Sequence, residues 1–263
     1  MVPSKVTAED MAFERRERAR PAKGVPPDCG TPPDQHCSVC SRFAKVSPDL
    51  SSAFAERVRP VHYAAGDEIS TAPGFEGGVS VLTSGAVMQS QVLEDGRRQV
   101  TGFVYPGEAL ALGGVFSVKG FATALSACDV YEMAPRELAS FLDEFPAAWP
   151  VLSDIAGINA NRLLGQIVLL GRMHAIERVA AFLVDFAKRA GTPGRDGIIL
   201  SLPMDRVEIA DHLGMNPETV SRQLARLKSD GLVLVERPSR LIVPDLQALN
   251  ALIPEIAVQT AAK

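Results

Sequence analysis

Met204-Asp-Arg-Val-Glu-Ile-Ala-Asp-His-Leu-Gly214, then Met215-Asn216, then Pro217-Glu-Thr-Val-Ser-Arg-Gln-Leu-Ala-Arg-Leu-Lys-Ser-Asp-Gly231, is the stretch that decides the fold of the C-terminal half. Its first part reads as a helix stopped by Gly214, a residue suited to a left-handed C-terminal turn. Asn216 is an N-cap, Pro217 takes the first helical position and Gly231 lies beyond the last, so a second helix follows after a two-residue turn. Ile209, Ala210, Leu213, Val220, Leu224 and Leu227 are spaced to close a small core shared by the two helices. The pattern predicts a helix-turn-helix.

The second helix carries the chemistry of groove reading. Glu218, Ser221 and Arg222 stand in its first turns, Arg226 follows one turn later, and positions 218, 221, 222 and 225 share a face. Arginine pairs bidentately with guanine, glutamate accepts from the cytosine amino group, and serine reaches a base or a phosphate. These four residues are the candidate contacts to double-stranded DNA. Leu232-Val-Leu-Val-Glu, Arg237-Pro-Ser-Arg240 and Leu241-Ile-Val then predict a β hairpin where a winged helix carries its wing.

Upstream, residues 175–190 form an amphipathic helix and Ile198 to Leu202 a short strand. From Pro150 to about Leu170, the residues Leu152, Ala156, Asn159, Leu163, Ile167 and Leu170 recur at spacings of three and four. Such a stripe is either a coiled-coil seam between two subunits, with Asn159 fixing register, or a helix lying on its own domain. Between about 60 and 135 the pattern is β: runs such as Val79-Ser-Val-Leu82, Ala86 to Val92 and Gln99 to Val104 alternate with Gly-rich turns, Leu93-Glu-Asp-Gly96 among them. A short helix from Pro48 to Val58, capped by Ser47, precedes them, and residues 1–47 read as a flexible arm rich in Pro, Gly and charge.

The composition is that of a globular chain: 263 residues, 46% hydrophobic, 22% charged and 6% aromatic. No run approaches the roughly 18 apolar residues of a membrane helix, and the N-terminus lacks a secretory core, so a cytoplasmic location is expected. The net charge of −4 argues against nucleic acid only if charge is evenly spread. From residue 175 on there are eleven Lys or Arg and eleven Asp or Glu, and between Pro217 and Gly231 three basic and two acidic residues. A neutral head predicts modest non-specific affinity and reliance on base readout. Neither a nucleophile–base pair nor a Walker loop nor a dinucleotide fingerprint is present, so no enzyme is expected. His62, His174 and His212 are isolated in sequence, and His212 is expected to face solvent or phosphate.

The segments Ala175-Ile-Glu-Arg-Val-Ala-Ala-Phe-Leu, Leu202-Pro-Met, Ile209-Ala-Asp-His-Leu-Gly214 and Glu218-Thr-Val-Ser-Arg222 closely resemble the CRP/FNR family of bacterial transcription regulators, its FNR and FixK branches in particular. The resemblance runs from about residue 60 to 245. It implies an α+β chain: an arm (1–47), a β-roll sensor domain of the cyclic-nucleotide-binding type (48–147), a long dimerisation helix (148–172), a winged helix-turn-helix (173–250) and a tail (251–263). It further implies a homodimer, more often an activator, whose Glu218, Ser221 and Arg222 read a TTGAT, four bases, ATCAA palindrome. Contacts of the roll to RNA polymerase, around Asp95 to Arg98, are implied by the family alone. Relatives that bind cyclic AMP carry an acid a few residues after a Pro-Gly-Glu turn and then an Arg-Ser or Arg-Thr pair. Leu112 stands at the acid's place and Lys119-Gly-Phe-Ala-Thr123 holds no such pair, so no cyclic AMP is expected.

Four cysteines remain: Cys29, Cys37, Cys40 and Cys128, three of them within twelve residues. Oxygen sensors of the FNR type hold an oxygen-labile [4Fe–4S] cluster with three arm cysteines and one from the roll, and this chain has that count and layout. The resemblance therefore implies Cys29, Cys37, Cys40 and Cys128 as cluster ligands and a response to low oxygen. In detail the family's roll cysteine aligns nearer Tyr131. Three residues along a strand displace a side chain by about 10 Å and turn it to the other face. Zinc on Cys29, His36, Cys37 and Cys40, thiol oxidation, and Cys128 as a small core residue are the competing readings. So are a cluster-free FixK-like regulator controlled by abundance and a roll that binds a small ligand.

Overall fold

In the computed structural model, residues 38–69, 78–112 and 121–254 are described. Among the described residues two helices precede the strands, α1 (Ser38–Val46) and α2 (Pro48–Arg57). The second begins as its sequence dictates: Ser47 Oγ accepts from Asp49 N at 3.2 Å, with Pro48 in the first turn. The first was not expected. Residues 38–46, which the sequence assigns to the flexible arm, form an amphipathic helix that buries Val39, Cys40 and Phe43. Phe43, Phe54 and Phe141 meet there, with ring centroids 5.0 to 5.8 Å apart.

Strands β1 (Arg59–Tyr63), β2 (Val79–Ser84), β3 (Val87–Val92), β4 (Arg98–Val104), β5 (Ala109–Leu112), β6 (Phe121–Ala124) and β7 (Cys128–Met133) follow, then the helices α3 (Pro135–Glu144) and α4 (Ala148–Arg172). One antiparallel sheet runs in the order β1-β7-β2-β5. Alternation puts Val79, Val81 and Met133 into the core that α1, α2, α3 and the start of α4 close, and Leu82, Cys128 and Val130 into a second core with Ile69, Val87 and Leu110. Arg57 pairs with Glu144 and lies over the Phe141 and Phe145 rings. The β3–β4 turn is the expected one, closed by Gly96 N to Leu93 O at 2.9 Å.

The C-terminal part contains α5 (Ala175–Ala190), β8 (Thr192–Gly194), β9 (Gly197–Ser201), α6 (Arg206–Leu213), α7 (Pro217–Ser229), β10 (Leu234–Arg237), β11 (Arg240–Val243) and α8 (Leu246–Asn250). Its sheet has the order β10-β11-β9-β8, and the wing hairpin is β10–β11. Strands first, a long helix next and a winged helix-turn-helix last is the architecture the sequence predicts. The chain divides into two compact units, residues 1–87 with 104–156 and residues 88–103 with 157–263, so the β3–β4 hairpin belongs with the C-terminal unit. Within α4, Ala148, Val151, Leu152 and Ile155 pack into the core of the first unit. Leu152 is thereby removed from the expected inter-subunit stripe, whereas Leu163, Leu164 and Ile167 are exposed. Among the described residues no helix is long and apolar enough to cross a membrane.

Gly85, between β2 and β3, has φ +85°, and a Cβ there would stand 2.3 Å from Ala127 O and 2.7 Å from Cys128 Sγ. Gly85→Ala is expected to add the strain of a non-glycine left-handed residue, about 1–3 kcal/mol, to that collision. Denaturant melts should show a clear loss of stability; an unchanged midpoint would contradict this packing.

Candidate nucleic-acid interface

The helix pair is built by local caps. Asp205 Oδ1 accepts from Glu208 N at 2.8 Å while Glu208 Oε2 accepts from Asp205 N at 2.7 Å, a reciprocal box that starts α6. Gly214 ends it with φ +60°. Asn216 Oδ1 accepts from Thr219 N at 3.3 Å and starts α7. Ile209, Ala210, Leu213, Val220, Leu224 and Leu227 are all buried, as the spacing requires.

That packing leaves the other face of α7 to solvent. Glu218, Ser221, Arg222, Ala225 and Arg226 are exposed together, so the four candidate contacts share one open surface. Arg222 is not loose on it. Its Nη2 donates to Thr219 Oγ1 at 3.3 Å, and the Thr219 hydroxyl donates in turn to Asn216 Oδ1 at 2.5 Å. Thr219 was missed in the sequence; the spacing of 216, 219 and 222 along one helix edge was the available signal. Arg226 lies 3.9 Å from Asp230 in an exposed, weak pair. Arg206, at the first position of α6, donates to Pro238 O at 2.8 Å and ties the helix to the wing turn.

Residues 177–252 match the Crp-like helix-turn-helix domain. Over 209 residues the chain is 31% identical to the nitrogen fixation regulation protein FixK of Bradyrhizobium diazoefficiens, covering 77% of this chain and 88% of that protein. The chain belongs to the CRP/FNR family. It falls in the FixK branch of that family: the structure of FixK2 from Bradyrhizobium japonicum superposes with a TM-score of 0.70 at 28% identity, over 76% of this chain and 99% of that one. The transcriptional activator protein FnrL of Cereibacter sphaeroides is 29% identical over 84% of this chain and 90% of its own length. This CRP/FNR protein is a DNA-binding transcription regulator and not an enzyme.

The cysteines are arranged differently from the DNA face. Cys29 and Cys37 lie outside the described residues, as does His36. Cys40 and Cys128 are both buried, but in separate apolar cores, one beside Val39 and Phe43 and the other beside Leu82 and Val130. Cys128 Sγ stands 3.1 Å from Ser126 O and 3.3 Å from Ala86 O, so its S–H has carbonyls to donate to. Burial pushes the Cys128 thiol up. Among the described residues no group of three or more His, Cys, Asp or Glu gathers to hold a metal. Among the described residues, Cys128 thus stands in a different core from Cys40. The side chain of Leu112 and residues 113–120, on which the expectation against cyclic AMP rests, lie outside the described residues.

Of the histidines, His212 differs from expectation. His62 Nδ1 meets Asp129 Oδ1 at 2.9 Å, with Ser84 Oγ donating to the other carboxylate oxygen at 2.7 Å. His174 N donates to Glu177 Oε2 at 2.7 Å at the start of α5. His212 faces neither solvent nor phosphate. Its ring packs edge-on against Phe103 and Phe182, centroids 5.2 and 6.0 Å away, and Nδ1 lies 3.1 Å from Val100 O. Burial lowers its pKa from the ordinary 6.5, with Arg189 adding to that shift and the Val100 bond and Asp185 opposing it. The unfolded chain therefore takes up this proton at a higher pH than the folded one. Stability from His212 is full above about pH 6.5 and is lost as pH falls through that value toward the lowered one. Denaturant titrations between pH 7.5 and 5.5 should show the decline, and His212→Gln should flatten it; equal slopes in both proteins would contradict the assignment.

Proposed function

We propose that this protein is a transcription activator that binds as a homodimer to a TTGAT, four bases, ATCAA-like palindrome. The observation that carries the reading is the common exposure of Glu218, Ser221 and Arg222 on the outer face of α7, with Arg222 steadied through Thr219. A guanidinium so held is presented to a guanine edge, and the carboxylate of Glu218 to a cytosine amino group one turn away. Arg226 adds a contact deeper along the helix. The half-sites are set apart by the dimer, for which the exposed Leu163, Leu164 and Ile167 of α4 supply an apolar seam. The FnrL relative is a transcriptional activator, and contact with RNA polymerase is carried over from the family.

Arg222→Ala is expected to lose about 1–3 kcal/mol of discrimination at one base pair while keeping its affinity for scrambled duplex. Binding is to be measured at a fixed salt concentration. Retention of the full preference for TTGAT would remove Arg222 from base reading. For the seam, Ile167→Glu should dissociate the dimer in sedimentation experiments, with operator affinity falling in parallel; an unaltered dimer would place the interface elsewhere.

The burial of Cys128 favours a specific reading of control: it does not pass through a four-cysteine iron–sulfur cluster that includes Cys128. Regulation by abundance or by thiol oxidation, rather than loss of such a cluster to oxygen, is the reading this supports. Anaerobically isolated wild type and Cys128→Ala should contain the same iron and acid-labile sulfide and bind the operator alike. A brown wild-type protein whose colour and sulfide vanish in Cys128→Ala would reverse this conclusion.

A further inference from the structure

The last turn of α6 ends in carbonyls that have no partner within the helix, and side chains from three other elements satisfy them. Gln99 Nε2, on β4, donates to Asp211 O at 2.7 Å and lies 3.3 Å from His212 O. Gln166 Nε2, on α4, donates to His212 O at 2.6 Å. Arg178 Nη1, on α5, donates to Leu213 O at 2.9 Å and lies 3.4 Å from Gly214 O. Beside Gln99, Arg98 donates to one oxygen of the Asp211 carboxylate, Oδ2, from both Nε at 2.8 Å and Nη2 at 2.7 Å. Both side chains of this pair are largely covered, 32% and 26% exposed. The hairpin tip continues alongside: Gly96 and Arg97 line a cleft with Met215 and Asn216 of the helix-turn-helix turn.

We propose that Arg98 and Gln99 are positioning residues for operator recognition, acting on DNA through α6. Neither stands on the α7 face that reads bases. The β3–β4 hairpin and the helices lie in one compact unit, and α6 shares its buried face with α7. The charge pair anchors α6 to β4 at one point, Asp211 Oδ2, so rotation is resisted only together with a second attachment. Gln99 adds a grip on the backbone itself. The hairpin therefore fixes the angle at which α7 leaves α4, and in a dimer that angle sets the separation of the two recognition helices. Specific binding needs both helices in register with successive grooves, whereas non-specific phosphate contact does not.

This inference rests on the operator-reading role proposed for α7, and the test separates the two. The full-length protein and the variants Arg98→Ala, Arg98→Lys, Asp211→Ala and the swap Arg98→Asp with Asp211→Arg are titrated with palindromic and scrambled duplex at one salt concentration. Thermal melting and sedimentation are recorded beside each titration. Arg98→Ala and Asp211→Ala should bind the palindrome about five- to tenfold more weakly, with scrambled duplex and dimerisation unchanged. Arg98→Lys, which keeps the charge and loses the fork, should fall between, and the swap should recover most of the loss. Palindrome binding unchanged or tighter in Arg98→Ala overturns the inference. So does a swap as weak as the single variants, because the loss would then reflect general damage. A wild type that does not distinguish palindrome from scrambled duplex overturns the operator reading, and the inference with it.

Discussion

The C-terminal unit is organised around one guanidinium. Arg178 donates through Nε to Met173 O, through Nη2 to Leu170 O and through Nη1 to Leu213 O, each at 2.9 Å. Those carbonyls belong to the C-terminal ends of two different helices, α4 and α6, where the unpaired C=O groups concentrate negative partial charge. A cation with a planar fork is the one side chain that can serve both ends at once; an ammonium would supply charge without the geometry. Gly214 completes the joint: its φ of +60° favours glycine, and a Cβ there would stand 2.9 Å from Leu170 Cδ2, displacing the end of that side chain.

With that joint made, the remaining features of the DNA-binding face follow from exclusion. Val220, Leu224 and Leu227 must be inward to share the core with Ile209 and Leu213, so by the period of the helix Glu218, Ser221, Arg222 and Arg226 must be outward. The caps are likewise turned to use. Asn216 starts α7 and, through Thr219, also limits the swing of Arg222. One short chain of hydrogen bonds thus links the residue that begins the helix to the residue proposed to read a base.

How much of this was legible depended on whether the determining contact was local. The helix-turn-helix was readable to within a residue or two because Gly214, Asn216 and Pro217 impose their conformations on the chain next to them. Helix α1 was not, because a Pro- and Gly-rich approach and a short span of nine residues masked the Val39, Cys40 and Phe43 stripe. His212 was misplaced for a different reason. Its environment is made by Val100 and Phe103, more than a hundred residues earlier, and nothing around position 212 announces them. The cysteines show the limit of counting. Four thiols match a ligand number, but a count says nothing of surroundings: Cys128 sits where β7 turns its side chain into an apolar core beside Gly85.

The net charge of −4 acquires a structural meaning from these contacts. In a head with equal numbers of acids and bases, several of each are already spent on one another: Arg98 holds Asp211, Arg189 holds Asp185 and Arg240 holds Glu236. Such pairs contribute little to attraction for a polyanion, which depends on cations left available to displace counterions. What the Arg98–Asp211 pair contributes, since it joins β4 to α6, is orientation. A regulator with weak general attraction to DNA must obtain its affinity from base contacts made simultaneously, and simultaneous contacts tolerate little angular play between α7 and α4. On the proposed reading, the Arg98–Asp211 pair and the helix-end bonds that hold α6 are therefore as much a part of recognition as the side chains proposed to touch the bases.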